Sequence, residues 1–129
     1  MAYASPERMA RDLDDRVFRF ACRIVEIFRV LSDRPGAGRA ISHQFLRAGT
    51  SVAANYAEAA AGQTKPDFIA KLSIARKELY ETRFWLRLIV ATGQVEADHL
   101  AADSHEVNEL ISIVAAIIKK AKASPERGQ

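Results

Sequence analysis

The sequence predicts an all-α protein, an up-down-up-down antiparallel four-helix bundle. Apolar residues recur at three- and four-residue intervals in four long segments, and short stretches rich in glycine, proline and small polar residues separate them. No run alternates with the period of a strand, and no internal repeat is visible. Four amphipathic helices on short connections pack most simply with neighbours antiparallel. With 129 residues, 49% hydrophobic and 27% charged, residues 1–129 are expected to form one domain with a real core.

The first helix is expected over about residues 9–31, because Leu13, Val17, Phe20, Ile24, Ile27, Phe28 and Leu31 share one side. The run Ser32-Asp-Arg-Pro-Gly-Ala-Gly38 ends it as a loop. The second spans about 39–61 and stops at Gly62; its many alanines favour helix and let another backbone come close. Thr64 is a fitting N-cap for the third, at about 65–92, with Pro66 tolerated in the first turn and Gly93 as the stop. Its core line is Phe68, Leu72, Ala75, Leu79, Leu86 and Ile89. The fourth, about 98–122, opens at Asp98 and buries Leu100, Val107, Leu110, Ile111, Val114, Ile117 and Ile118. Its acids lie early and Lys119, Lys120 and Lys122 late, as the helix dipole favours. The end of the chain from Ser124 is expected to fray.

The second helix carries two stripes. Ile41, Phe45, Ala48, Val52, Tyr56 and Ala59 form the apolar one. Beside it Gln44, Arg47, Ser51, Asn55 and Glu58 fall within a band about 60° wide at helical spacing. Polar groups at the edge of a buried face must be hydrogen-bonded internally or face a partner. The expectation is a structural polar network of these five residues with Glu78, in which Glu58 or Glu78 pairs with Arg47, in preference to acid–base chemistry by Asn55 and Glu58.

The stretch from Gln44 to Glu58 resembles the central signature of the intervening-sequence proteins encoded inside some bacterial 23S ribosomal RNA genes. Asp67-Phe68, Leu72-x-Ile74-Ala75, Glu78-Leu79 and Ala91-Thr92-Gly93 resemble the family's next helix and its closing glycine. Ala59 departs from the glycine that often follows the glutamate, and Arg76-Lys77 from a common small pair. The resemblance implies the same four-helix bundle and a ring-like homo-oligomer, typically a pentamer. A related bundle accompanies diversity-generating retroelements, where it partners a reverse transcriptase and its RNA, so both are implied partners. Phe84, Trp85 and Leu88 project away from the third helix's core line and are the candidate oligomer interface. The small-residue track Gly49, Ala53, Ala57 and Ala60 serves either that contact or close packing within one bundle.

No catalytic residues, metal ligands or cofactor are expected. Glu96-x-x-His99 is half of a di-iron repeat with no second copy, and His43 and His105 lack neighbours at ligand spacing. Phosphate loops, nucleophile elbows and paired cysteines are missing from the sequence. Cys22 is the single cysteine and is expected to be a buried thiol. No apolar run is long enough for a membrane span, and the N-terminus lacks the order of a signal peptide, so a cytoplasmic location without membrane contact is expected.

The remaining positive feature is the distribution of charge. Net charge is +3 and the pI near 9.2. Arg76, Arg83 and Arg87 align with Tyr80 on the third helix, and Arg16, Arg19 and Arg23 on the first. Arginine binds phosphate through its fork and stacks on bases, as does tyrosine. The expectation is a non-catalytic oligomer binding structured RNA, or a nucleic-acid enzyme, through these strips. The alternative is a protein-only scaffold whose arginines are neutralised by Asp12, Asp14, Asp15, Glu26 and Glu81.

Overall fold

The computed structural model describes residues 5–61 and 64–125. They form α1 (Pro6–Asp12), α2 (Asp14–Ser32), α3 (Ala37–Ala60), α4 (Lys65–Ala91) and α5 (Ala97–Ala123), with no strand among them. The four long helices make the expected bundle, α2 packing on α3, α3 on α4 and α4 on α5. Cross-helix pairs reveal its direction. Arg47 on α3 meets Glu78 and Glu81 on α4, whereas Glu58, further along α3, meets Lys71, further back on α4. Arg16 and Arg23 of α2 meet Glu106 and Asp103 of α5 in the same reversed order.

The expected first helix is divided in two. Ser5 caps α1, its hydroxyl accepting from the Arg8 N–H at 3.1 Å, and Pro6 occupies the first turn. At Leu13 the backbone tightens (φ −98°, ψ 0°), and its N–H reaches Ala10 O at 3.3 Å instead of continuing the α ladder. The break lets α1 fold across the bundle end, where Pro6 and Ala10 are buried and α1 touches α5, α3 and α2. Aspartates 14 and 15 then fill the first turn of α2, favourably placed for its dipole.

The other helix ends follow local chemistry. Thr64 Oγ1 accepts from Asp67 N–H at 3.2 Å, as its position predicts. At the far end of α4, Gly93 takes φ +71°; Gly93 N–H bonds to Val90 O at 3.1 Å and Gln94 N–H to Ile89 O at 3.0 Å. This paired closure requires a residue at ease in the left-handed region. Glu96, not Asp98, is the N-cap position of α5, with no side-chain cap bond; Asp98 lies within the first turn. Gly62 and residues 126–129 lie outside the described residues.

The core is continuous from Val17 and Phe20 through Phe45, Val52 and Tyr56 to Leu79, Leu86, Leu110 and Ile117, with Leu13, Phe28 and Ile41 only half-buried at its margins. Two details are unusual. A Cβ built on Gly49 would lie 2.6–2.8 Å from three side-chain atoms of Ile24, itself 1% exposed. Among the described residues the buried hydroxyl of Tyr56 has no hydrogen-bond partner. Burial pushes that phenol well above its ordinary pKa, with Asp14 and Asp12 adding to the shift.

Two expected outcomes follow from these contacts. Alanine at position 49 gains about 1 kcal/mol in helix propensity, but the enclosed Ile24 has nowhere to move, and overpacking costs about 1–3 kcal/mol. Gly49→Ala should therefore lower stability in urea denaturation, and should cost less in an Ile24→Ala background, where all three contacting atoms are gone. For Tyr56, the unfolded phenol ionises near pH 10 while the folded one stays protonated. Above that pH the unfolded state has released a proton that the folded state keeps, so stability falls as pH rises. Tyr56→Phe should reduce this alkaline slope and be at least as stable at neutral pH, as paired denaturation curves at pH 7 and 10.5 will show.

Candidate functional site

The polar band of α3 forms a bridge to α4, with fewer members than expected. Arg47 donates to Glu78 Oε2 at 3.4 Å, to Glu81 Oε2, and to Gln44 Oε1 at 3.4 Å. Glu81 Oε2 also accepts the indole N–H of Trp85 at 3.0 Å. Glu78 is largely enclosed, its side chain 11% exposed, so it depends on the guanidinium for compensation. Ser51 contributes its carbonyl, which accepts from Asn55 Nδ2 at 2.9 Å within the same helix. Glu58 stands apart, exposed and 2.9 Å from Lys71 Nζ. It stands further along α3, beyond reach of Arg47. Glu81, expected only as a neutralising acid, belongs to this bridge, and its three-residue spacing from Glu78 signals the shared face.

The two arginine strips have different surroundings. On α2, Arg16 is paired bidentately with Glu106 at 2.6 and 2.9 Å, and Arg23 with Asp103 at 2.8 and 3.1 Å. Arg23 also reaches His99 O at 3.3 Å and Glu26 at 3.4 Å. The hydrogen bonds to Glu106 and Asp103 raise both guanidinium pKa values against the opposing effect of burial. Arg19 meets Asp15 at 3.4 Å with both side chains largely exposed. These groups line a groove of about 250 Å³ between α2 and α5, floored by Phe20. The strongest partners, Glu106 and Asp103, come from a helix remote in sequence, where they are expected only as early acids favourable to its dipole.

On α4, Lys71 is paired with Glu58, but the cations further along the helix have no such compensation. Among the described residues, Arg76, Lys77, Arg83 and Arg87 make no ion pair. Arg83 donates to the neutral Asn108 Oδ1 at 3.3 Å, and its guanidinium carbon lies 4.8 Å from the centre of the Tyr80 ring. Lys77, half of the pair that departs from the family pattern, shares the outward face with Tyr80 and Arg87. The acidic residues in the middle of this helix, Glu78 and Glu81, turn toward α3 and are held by Arg47.

The apolar trio is split by its helix positions. Phe84 is 55% exposed and shares the face of Tyr80; Trp85 is half-buried against the core and Leu88 is half-buried. Other exposed apolar side chains are Phe18 and Val30 on α2 and Ile74 on α4. Of the small-residue track, Gly49 is consumed by Ile24, Ala53 packs against the core, and Ala57 is exposed. Cys22, expected to be buried, is exposed on α2. Among the described residues no three His, Cys, Asp or Glu side chains gather in a way that could hold a metal, and no helix is long and apolar enough to cross a membrane.

Helix order, connections and the arginine-bridged α3–α4 pair define a small all-helical bundle protein. The profile of the 23S rRNA-intervening sequence protein family matches residues 13–116, and the chain belongs to that family. It is similar to a crystal structure of a protein with unknown function from the S23 ribosomal protein family of Bacteroides thetaiotaomicron VPI-5482. The TM-score is 0.77 at 33% identity, over 86% of this chain and 98% of that one. No curated protein matches.

The bridge geometry ranks its members. Arg47→Ala strands Glu78 and frees Glu81, and should cost about 1–3 kcal/mol, discounted from a fully buried pair because Arg47 is half exposed. Glu58→Ala removes an exposed pair and should cost less than about 0.5 kcal/mol. Asn55→Ala loses an intrahelical bond but gains helix propensity, so it should fall between them. Equal losses for Arg47→Ala and Glu58→Ala in denaturant titrations would contradict this ranking.

Proposed function

We propose that this protein is a non-catalytic homo-oligomer that binds structured RNA, or a nucleic-acid enzyme carrying it, through the outer face of α4. The observation that carries this reading is the contrast between the strips: Arg16, Arg19 and Arg23 of α2 are engaged with carboxylates, while, among the described residues, Arg76, Lys77, Arg83 and Arg87 are not. Uncompensated guanidinium groups are suited to phosphate, which they grip bidentately. Membership of a family whose name refers to sequences within ribosomal RNA genes is consistent with an RNA partner. The α2 strip, with Arg16, Arg19 and Arg23, contributes at most a secondary contact in this proposal, because phosphate must displace its carboxylates.

Self-association is the second part of the proposal, with five subunits favoured by the family resemblance. The support is exposed apolar surface: Phe18 at 65% and Val30 at 56% on α2, separate from the basic face of α4. A ring would repeat the α4 strip around an axis and multiply a modest net charge. Phe84 and Leu88 supply the competing contact, in which α4 itself meets a neighbouring subunit and the protein is a scaffold without RNA.

Three measurements decide between these readings. Light scattering coupled to size exclusion should give an oligomer whose mass falls with Phe18→Asp and is unchanged by Phe84→Asp; the reverse result favours the α4 contact and the scaffold. In mobility-shift titrations at low salt, ribosomal RNA fragments should bind with weak sequence preference and lose affinity steeply as salt rises. Replacing Arg76, Arg83 and Arg87 by glutamate should remove binding and preserve the oligomer. No complex, or equal binding by the triple variant, would leave the protein-only scaffold.

A further inference from the structure

Two aromatic rings stand on the solvent side of α4, one turn apart. Tyr80 is 46% and Phe84 55% exposed, and four residues of helix separate them by about 6 Å along the axis. Neither ring is loose. Arg83, held by Asn108 Oδ1 at 3.3 Å, lies 4.8 Å from the Tyr80 ring centre. Phe84 packs edge-to-face on Trp85, with centroids 5.1 Å apart and planes at 72°. Trp85 is in turn fixed by its N–H bond to Glu81, which Arg47 also holds. Each ring is therefore supported from one side by the protein and open on the other.

Lys77 and Arg87 share this face, flanked by Arg76 and Arg83, and among the described residues none of the four has an ion-pair partner. Flat apolar faces between uncompensated cations match the requirements of unpaired nucleotides, whose bases stack and whose phosphates are anionic. A duplex meets the cations equally well but keeps its bases stacked on one another and offers the rings nothing. A second copy of the same face would bring like charges together and desolvate them.

We infer that the outer face of α4 is a stacking platform for single-stranded RNA, with Tyr80 and Phe84 each receiving one unpaired base and Arg76, Lys77, Arg83 and Arg87 holding the intervening phosphates. This rests on the proposal that α4 is the RNA-facing helix, and it commits that helix to loops and unpaired segments of a structured RNA.

The test uses fluorescein-labelled oligouridylate, alone and annealed to oligoadenylate of equal length, in anisotropy titrations at low salt. The wild type should bind the single strand more tightly than the duplex, and its Trp85 emission should be quenched by the single strand only. Tyr80→Ala/Phe84→Ala should weaken single-strand binding by at least about tenfold and leave duplex binding unchanged. Tyr80→Leu/Phe84→Leu, which keeps apolar bulk on the exposed surface but removes the flat π faces, should behave like the alanine pair. Single-strand binding by the leucine pair equal to wild type, or tighter wild-type binding to the duplex, overturns the platform while phosphate binding by α4 stands. No complex with either probe overturns both readings. A fall in oligomer mass for the alanine pair without RNA assigns the rings to a subunit contact and overturns the platform.

Discussion

The missing side chain at Gly49 sets the spacing of the bundle. Ile24 fills the volume where a Cβ would sit, which draws α2 against α3. On its other flank α3 packs along α4, and Ala48 on α3 and Ala75 on α4 are both fully buried. Helix α3 is thus a thin central element with close neighbours on both sides, and the large residues Phe45, Val52 and Tyr56 are confined to its inward stripe. That geometry also brings α4 within reach of Arg47. The guanidinium can engage Glu78 and Glu81 because the two backbones approach closely, so the polar bridge depends on the small-residue packing.

Two helices with similar arginine content acquire opposite electrostatic character from their neighbours. Helix α2 faces the acidic first half of α5, and its Arg16 and Arg23 become part of the scaffold. Helix α4 directs its own central carboxylates inward to Arg47, leaving its outer cations uncompensated. One internal ion-pair cluster therefore performs two tasks: it joins α3 to α4 and removes negative charge from the surface where the cations stand. Through Glu81 and Trp85 the same cluster reaches Phe84, so the interior bridge and the outer aromatic pair are mechanically continuous.

Most of the fold was legible because apolar spacing identifies the inward face of each long helix without knowledge of its neighbours. Phe68, Leu72, Leu79, Leu86 and Ile89 behave as their periodicity implies. The division at Leu13 was not legible, since the apolar pattern runs through it and the break is imposed by packing of α1 on the bundle end. Cys22 was assigned to the interior by residue type, yet it lies two positions from Ile24, about 200° round the helix, and so points outward. At the candidate site the cations could be placed on faces, but their partners could not. Periodicity gives each helix a face and does not give the rotational match between α2 and α5, helices separated by half the chain. Glu58 shares the rotational position of Arg47 but stands about 16 Å further along α3, and that height brings it to Lys71 instead of to the bridge.

The seam between α2 and α5 is built differently from the other three. Its backbones stay farther apart than those of the sequential pairs, and long guanidinium–carboxylate spans cross a groove. Such spans weaken as ionic strength rises, whereas interdigitated side chains do not. The bundle consequently has a built-in direction of breathing. Amide protons in the first half of α5 are accordingly expected to exchange by local parting of this seam, and those of α3, enclosed by α2 and α4, by the wider separation of the helices.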